Sequence, residues 1–232
     1  MPHPALVAIS HGTSSPDGQR AVAGLFDAVA QRMPDVPARL GHVDVQQPDV
    51  AASLASVDGP AVIVPLLLSA GYHVRVDLQR AISARDDVVI AGAMGPDPRL
   101  AQVLADRLGA LAPDEQVVLA VAGSSDDRAN DDCRTVARQL AGLLGRDVTV
   151  GFLAAAEPRL DAAVTEAAAS GPVVVANYLL APGYFHDLAV RLSGGHRVAD
   201  PLLLPDAAAP ASLVDLVIDR YQDAAAGRAV SG

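Results

Sequence analysis

The chain has 232 residues, 51% apolar but only 3% aromatic, with no Trp, no Lys, a single Cys and a net charge of −10. Its length admits one large or two small domains, with a core built from Ala, Val and Leu. The acidic balance argues against nucleic acid or an anionic membrane as the main partner, and the lone Cys133 excludes a disulfide framework and a cysteine-based metal site.

In chain order, Ala5–Ser10 reads as a buried strand, followed at once by the turn His11-Gly12-Thr13-Ser14-Ser15. Ala21, Leu25 and Val29 then recur at helical spacing and predict a helix over Asp17–Arg32. A second strand is expected over Ala38–Val45, and Pro48 opens a helix over Asp49–Ser56. The stretch from Ala61, AVIVPLLLSAGYHVRVD, is an apolar run that breaks at Ser-Ala-Gly and then presents Tyr72, His73 and Arg75. A short β-branched run of this kind marks a strand buried on both faces of a parallel sheet, and functional groups collect past the carboxyl ends of such strands. A helix over Val76–Ala84, a strand over Val88–Ala91 and a helix over Pro98–Leu108 complete the first half, and Leu111–Glu115 reads as a linker.

The order then repeats. Strands are expected over Val117–Ala122, Val148–Ala154, from Pro172, and over Arg197–Ala199; helices over Ala129–Leu144, after Pro158 to Ser170, Phe185–Ser193 and Ala211–Tyr221. Pro60 matches Pro172, and Gly71-Tyr72 matches Gly183-Tyr184, both at an offset of 112. The expected fold class is therefore α/β: two tandem-duplicated domains, 1–112 and 116–222, each a small parallel sheet flanked by helices, with an interdomain cleft and a disordered tail at 223–232.

His11 and His73 each follow the carboxyl end of a buried strand in the same half, so both imidazoles are placed to face one cleft. The plain alternative is a pair of loop or capping histidines. Imidazole pairs suit a borderline divalent metal, and neutral histidine equally serves as a base. Asp44 ends the second strand on the same edge and adds a carboxylate, or else caps the next helix; His42 lies two residues earlier, deeper on the same strand face. At the matching positions of the second half stand Ala122, Ala154 and Phe185, so the chemistry survives in one copy only. His186, one residue past Phe185, either lines the cleft or faces solvent; His196 is read as a surface histidine and His3 is given no role. Ser10 precedes His11-Gly12 where a histidine phosphatase carries Arg, and no P-loop or Gly-x-Ser-x-Gly elbow is present.

Three motifs in order, Ser-His-Gly-Thr-Ser-Ser, Val-Asp-Val-Gln-Gln-Pro and Val-Pro-Leu-Leu-Leu-Ser-Ala-Gly-Tyr-His-Val, resemble the class II tetrapyrrole chelatases, and among them the sirohydrochlorin chelatases in their duplicated two-domain form. The resemblance covers nearly the whole chain. It implies insertion of Fe²⁺ or Co²⁺, with Fe²⁺ slightly favoured, into sirohydrochlorin for sirohaem or cobalamin, without an organic cofactor. It also implies that His11 and His73 are the catalytic, metal-handling pair. Asp44 joins them as a metal ligand where the family often has a glutamate. Ser10, Gly12, Tyr72, Arg75, Tyr184 and His186 are the implied substrate-binding residues. Arg191 and Arg197 are further candidates for the ligand's carboxylates, and Leu67, Leu68, Leu180 and Phe185 for apolar walls. A cytoplasmic monomer is expected, since MPHPALVAIS shows no signal-peptide pattern and the apolar runs at 61–70 and 172–181 are too short to cross a bilayer. The rival reading is a non-catalytic carrier of a divalent metal or a tetrapyrrole.

Overall fold

In the computed structural model, residues 3–69, 72–83 and 85–230 are described, those at 72–75, 77 and 228–230 by their backbone alone. The first half runs β1 (Ala5–Ser10), α1 (Pro16–Arg32), β2 (Ala38–His42), α2 (Val50–Ala55), β3 (Ala61–Pro65), α3 (Tyr72–Ala81), β4 (Val88–Ile90) and α4 (Pro98–Leu108). The second runs β5 (Gln116–Val121), α5 (Asp127–Leu144), β6 (Val148–Phe152), α6 (Leu160–Ala168), β7 (Val173–Tyr178), α7 (Tyr184–Leu192), β8 (Arg197–Val198) and α8 (Ala211–Val230). Each half forms a four-stranded parallel sheet, in the orders β2-β1-β3-β4 and β6-β5-β7-β8. The central strands β1, β3, β5 and β7 are largely apolar because both of their faces are covered. Leu6, Ala8, Val62 and Val64 point into a cluster shared by both halves, whereas Val7, Ile9, Ala61 and Ile63 point outward towards α2 and α3.

The halves are not self-contained. The helix α4 ends the first half in sequence but packs on α5 and β7; α8 ends the second but packs on α1, β3 and β4. Arg220 of α8 donates to the carbonyl oxygens of Ala93 and Met94, and the Tyr221 hydroxyl donates to Pro4 at 2.6 Å. Leu100 and Leu104 of α4 and Leu213 and Val217 of α8 thereby enter one continuous core.

Three expected boundaries move, each for a local reason. The strands β2 and β6 stop at His42 and Phe152 because the chain turns sharply after them. Val45 (φ 66°) and Ala155 (φ 57°) each sit at the centre of a three-residue turn, closed by Gln46 N–H to Asp44 O and by Ala156 N–H to Ala154 O. The helix α3 starts at Tyr72 instead of Val76, so the backbone of His73 lies in its first turn and not in a loop. Its counterpart α7 starts in the same way, directly after Gly183, whose φ of 156° is a glycine conformation. Finally, 223–230 continue α8 where a disordered tail was expected: Ala is the best helix former, and Ala224 and Ala225 pack against the core. Among the described residues no helix is long and apolar enough to cross a membrane.

Candidate functional site at the carboxyl edge of the first sheet

Strand pairing puts the candidates on one edge. The central β1 pairs with β2 through Ser10↔His42 and with β3 through Ile9↔Pro65, so the segments that follow these three strands leave the sheet side by side. Two of them are laced together, with Val43 N–H donating to Ser10 O and Asp44 N–H to His11 O, both at 2.9 Å. The approach is so close that a Cβ on Gly12 (φ 93°) would lie 1.8 Å from the Asp44 carbonyl oxygen; only glycine fits. His11 and Asp44 are both exposed beside this joint. Gln46 reinforces it by accepting from Thr13 N–H at 2.9 Å, while the Gln19 amide donates to Thr13 O.

Asp44 is not a helix cap. That position belongs to Asp49, which accepts from Ala52 N–H at 2.8 Å. Asp44 Oδ1 instead accepts from Val45 N–H at 2.7 Å, inside the turn. The second half builds the same turn around Ala154, and the same loop joint from Ala154 N–H to Ala122 O, with Gly123 (φ 84°) 1.9 Å from the Ala154 oxygen by the same measure. Neither the imidazole of His11 nor the carboxylate of Asp44 is therefore needed to build the backbone that carries it.

The backbone of His73 lies at the second position of α3, directly after β3; the side chains of Tyr72, His73 and Arg75 lie outside the described residues. Among the described residues no group of three His, Cys, Asp or Glu side chains stands ready as a metal cage. Ser10 must be withdrawn as a substrate-binding residue. It is 4% exposed, and its Oγ pairs with His42 Nδ1 at 2.8 Å beneath the loop. Burial of His42 pushes its pKa down and keeps the ring neutral. Arg197 is withdrawn as well: paired with Val174 near the start of β7, it sits at the opposite edge of its sheet and donates to Leu108 O. Arg191 lies in the last turn of α7, roughly 10 Å along the helix from the edge.

The second half closes over this edge. A Cβ on Gly18 would lie 2.4 Å from the Pro182 oxygen, and one on Gly183 would lie 3.2 Å from Thr13 Oγ1, so the loop after His11 abuts the loop that leads into α7. From there Tyr184 and Phe185 emerge, 68% and 36% exposed, edge to face with centroids 5.5 Å apart. His186 is half-buried and pairs with Asn177. The buried Tyr178 donates across the halves to Leu68 O at 3.2 Å, tying down the segment that leads towards His73, and burial raises its pKa so that the donor proton stays on. Gln46, Asn177 and Tyr178 were not singled out from sequence, because each works through a partner distant in the chain.

The family model CbiX matches residues 5–111 and 116–193, well over half of the chain. The chain belongs to the CbiX family. It is 28% identical to a sirohydrochlorin cobaltochelatase of Methanosarcina barkeri over 82 residues, which is 34% of this chain and 63% of that protein's length. Among solved structures, Bacillus subtilis SirB with Fe³⁺ matches at a TM-score of 0.79 and 18% identity, covering 97% of both chains. The sirohydrochlorin chelatase SirB from Bacillus subtilis subspecies spizizenii in complex with cobalt matches at a TM-score of 0.73 and 14% identity, covering 97% of this chain and 96% of that one. These likenesses establish the two-domain fold that the SirB structures share, and the CbiX match establishes the family.

Proposed function

We propose that this protein is a sirohydrochlorin chelatase, inserting Fe²⁺ or Co²⁺ as a substrate into the metal-free tetrapyrrole. The observation that carries the reading is the contrast between equivalent loops. A backbone that the second half makes with Ala122 and Ala154 carries His11 and Asp44 in the first, both exposed at one sheet edge. Residues without a structural task, at the place where parallel sheets bind ligands, are there for chemistry. The relative named a cobaltochelatase and the SirB structures holding Fe³⁺ and cobalt support the choice of reaction.

In this reading His11 and His73 hold the incoming metal with Asp44 as a third, weaker ligand. Few and exchangeable protein ligands allow the metal to leave for the macrocycle. The same imidazoles accept the two pyrrole protons that insertion releases. Tyr72, Arg75, Tyr184 and His186 contact the tetrapyrrole, and Gly12 serves by permitting the loop joint. We assign 1–112 and 116–222 as the two duplicated units of a cytoplasmic monomer, and Fe²⁺ as the first metal to try because sirohaem is the more widespread need.

The test is anaerobic incubation with sirohydrochlorin and either metal, followed by absorbance against an enzyme-free control. Accelerated conversion is expected. Stoichiometric binding without acceleration would replace the enzyme with a carrier.

A further inference from the structure

Asn177 is the one polar side chain of β7 that faces the outer apolar cluster of the second half, and it is fully buried, with Val175, Leu179 and Ala189 in that cluster. The register sets Ile9 against Pro65 and Ala120 against Asn177, so the first half has a proline at this position. Burying an amide is costly unless its polar atoms are paired. Only one end of this amide is: it meets His186 Nδ1 at 2.7 Å, while Oδ1 is buried without a partner among the described residues. Packing alone does not account for such a residue; holding the ring of His186 does.

We propose that His186 is a carboxylate-binding donor on the second-half wall of the cleft, and that Asn177 is the positioning residue that fixes its tautomer. The inference rests on the chelatase reading and names how that ligand is gripped. Orphaned buried N–H groups are rarer than orphaned carbonyl oxygens, so the amide keeps Nδ2 towards the ring and leaves Oδ1 as the unpaired atom. Nδ1 of His186 is then the acceptor, and the proton sits on Nε2. Nε2 is not among the buried unpartnered atoms and has no hydrogen bond within the described protein, so it presents an N–H outward. His186 is the third residue of α7, a helix whose N-cap, Gly183, supplies no side-chain acceptor; its first turn therefore adds unpaired N–H groups and the positive end of the dipole. The exposed Tyr184–Phe185 pair immediately precedes it. An apolar surface beside an outward N–H at a positive helix end fits a flat ring rimmed by carboxylates, which is the chemistry of sirohydrochlorin.

The experiment titrates wild type, His186→Leu, His186→Gln and Asn177→Leu with metal-free sirohydrochlorin, then measures KM and kcat for Co²⁺ insertion. His186→Leu is expected to raise Kd and KM about ten-fold or more with kcat within about two-fold, the signature of lost uniform binding. His186→Gln, which retains an N–H donor, should recover most of the loss, and Asn177→Leu should fall between. Ring ¹⁵N shifts of His186 in the wild-type protein should report the Nε2–H form, a readout that survives if Asn177→Leu misfolds. An unchanged Kd in His186→Leu, or the Nδ1–H tautomer, overturns the inference even if wild type turns over. If wild type inserts neither metal yet binds sirohydrochlorin through His186, the inference holds and the chelatase reading fails. Absence of binding by wild type removes both.

Discussion

At the edge of the first sheet the chain places His11 and Asp44; at the same positions of the second sheet it places Ala122 and Ala154, on a backbone with the same loop joint, the same turn and the same close-approach glycine. The core beneath differs too. Ser10 and the neutral His42 form a buried polar pair where the second half has Val121 and Phe152, the latter under the Arg134 guanidinium at 5.3 Å. A duplicated fold thus contains its own control. What both halves share builds the loops, and the side chains of His11 and Asp44, which only the first half has, are not required for that.

The largest expected effect comes from making the first half resemble the second. His11→Ala and His73→Phe should each lower kcat/KM for metal insertion by at least about 100-fold, the scale set by loss of a base that also holds metal. Circular dichroism and the thermal midpoint should stay near wild type, since Ala122 and Phe185 already occupy the matching backbone. Turnover like that of wild type in either variant would break the assignment of the two halves.

Next in size is the glycine that both halves share. Gly12→Ala and Gly123→Ala each put a Cβ within 2 Å of a carbonyl oxygen at a positive φ. Each should cost about 2–4 kcal/mol in chemical denaturation. The comparison sharpens in the activity assay: per folded molecule, Gly12→Ala should lose insertion, whereas Gly123→Ala should retain it. Equal losses of specific activity would show that the second joint also serves the reaction.

A smaller effect is expected where the halves exchange their last helices. Asp97 caps α4 by accepting from Arg99 N–H, and its carboxylate also meets the Arg99 side chain at 2.9 Å and Arg220 of α8 at 3.6 Å. Burial works to raise its pKa, but these bonds and charges outweigh it and hold the carboxyl below its ordinary 3.8. A carboxyl depressed in the folded state contributes stability that is fully present above 3.8 and is lost as pH falls through the folded value. Asp97→Asn should therefore cost about 1–2 kcal/mol at neutral pH, with the gap to wild type closing below pH 3.8. A gap that is constant down to acid would mean that the charge contributes nothing.

Much of this was legible in the sequence because it is local. Continuous apolar runs gave β1, β3, β5 and β7, and helical spacing gave α1. The offset between Gly71-Tyr72 and Gly183-Tyr184 gave the duplication, and His11 and Asp44 stood out as strand-end residues absent from the second copy. What escaped depends on partners far along the chain. No periodicity announces that α4 and α8 cover each other's sheets, because an amphipathic stripe does not say which sheet it will meet. Ser10 looked like a cleft residue until the register set it against His42. Arg197 looked free until it was found bonded to Leu108 O, and Asn177 gained meaning only from the ring above it.

The smallest effect is the most discriminating for Asp44. Its turn is closed by the backbone bond from Gln46 N–H to Asp44 O, which Ala154 reproduces without a carboxylate; the 2.7 Å contact of Oδ1 with Val45 N–H is an exposed addition. Asp44→Ala should therefore change unfolding free energy by no more than about 0.5 kcal/mol, and so should the reverse change, Ala154→Asp. Metal affinity in the absence of tetrapyrrole should separate them. It should fall about ten-fold in Asp44→Ala if the carboxylate is the third ligand beside His11 and His73, and stay unchanged in Ala154→Asp, which has no imidazole neighbour at 122. A stability loss in Asp44→Ala with unaltered metal affinity would return the residue to the turn and leave the histidines to hold the metal alone.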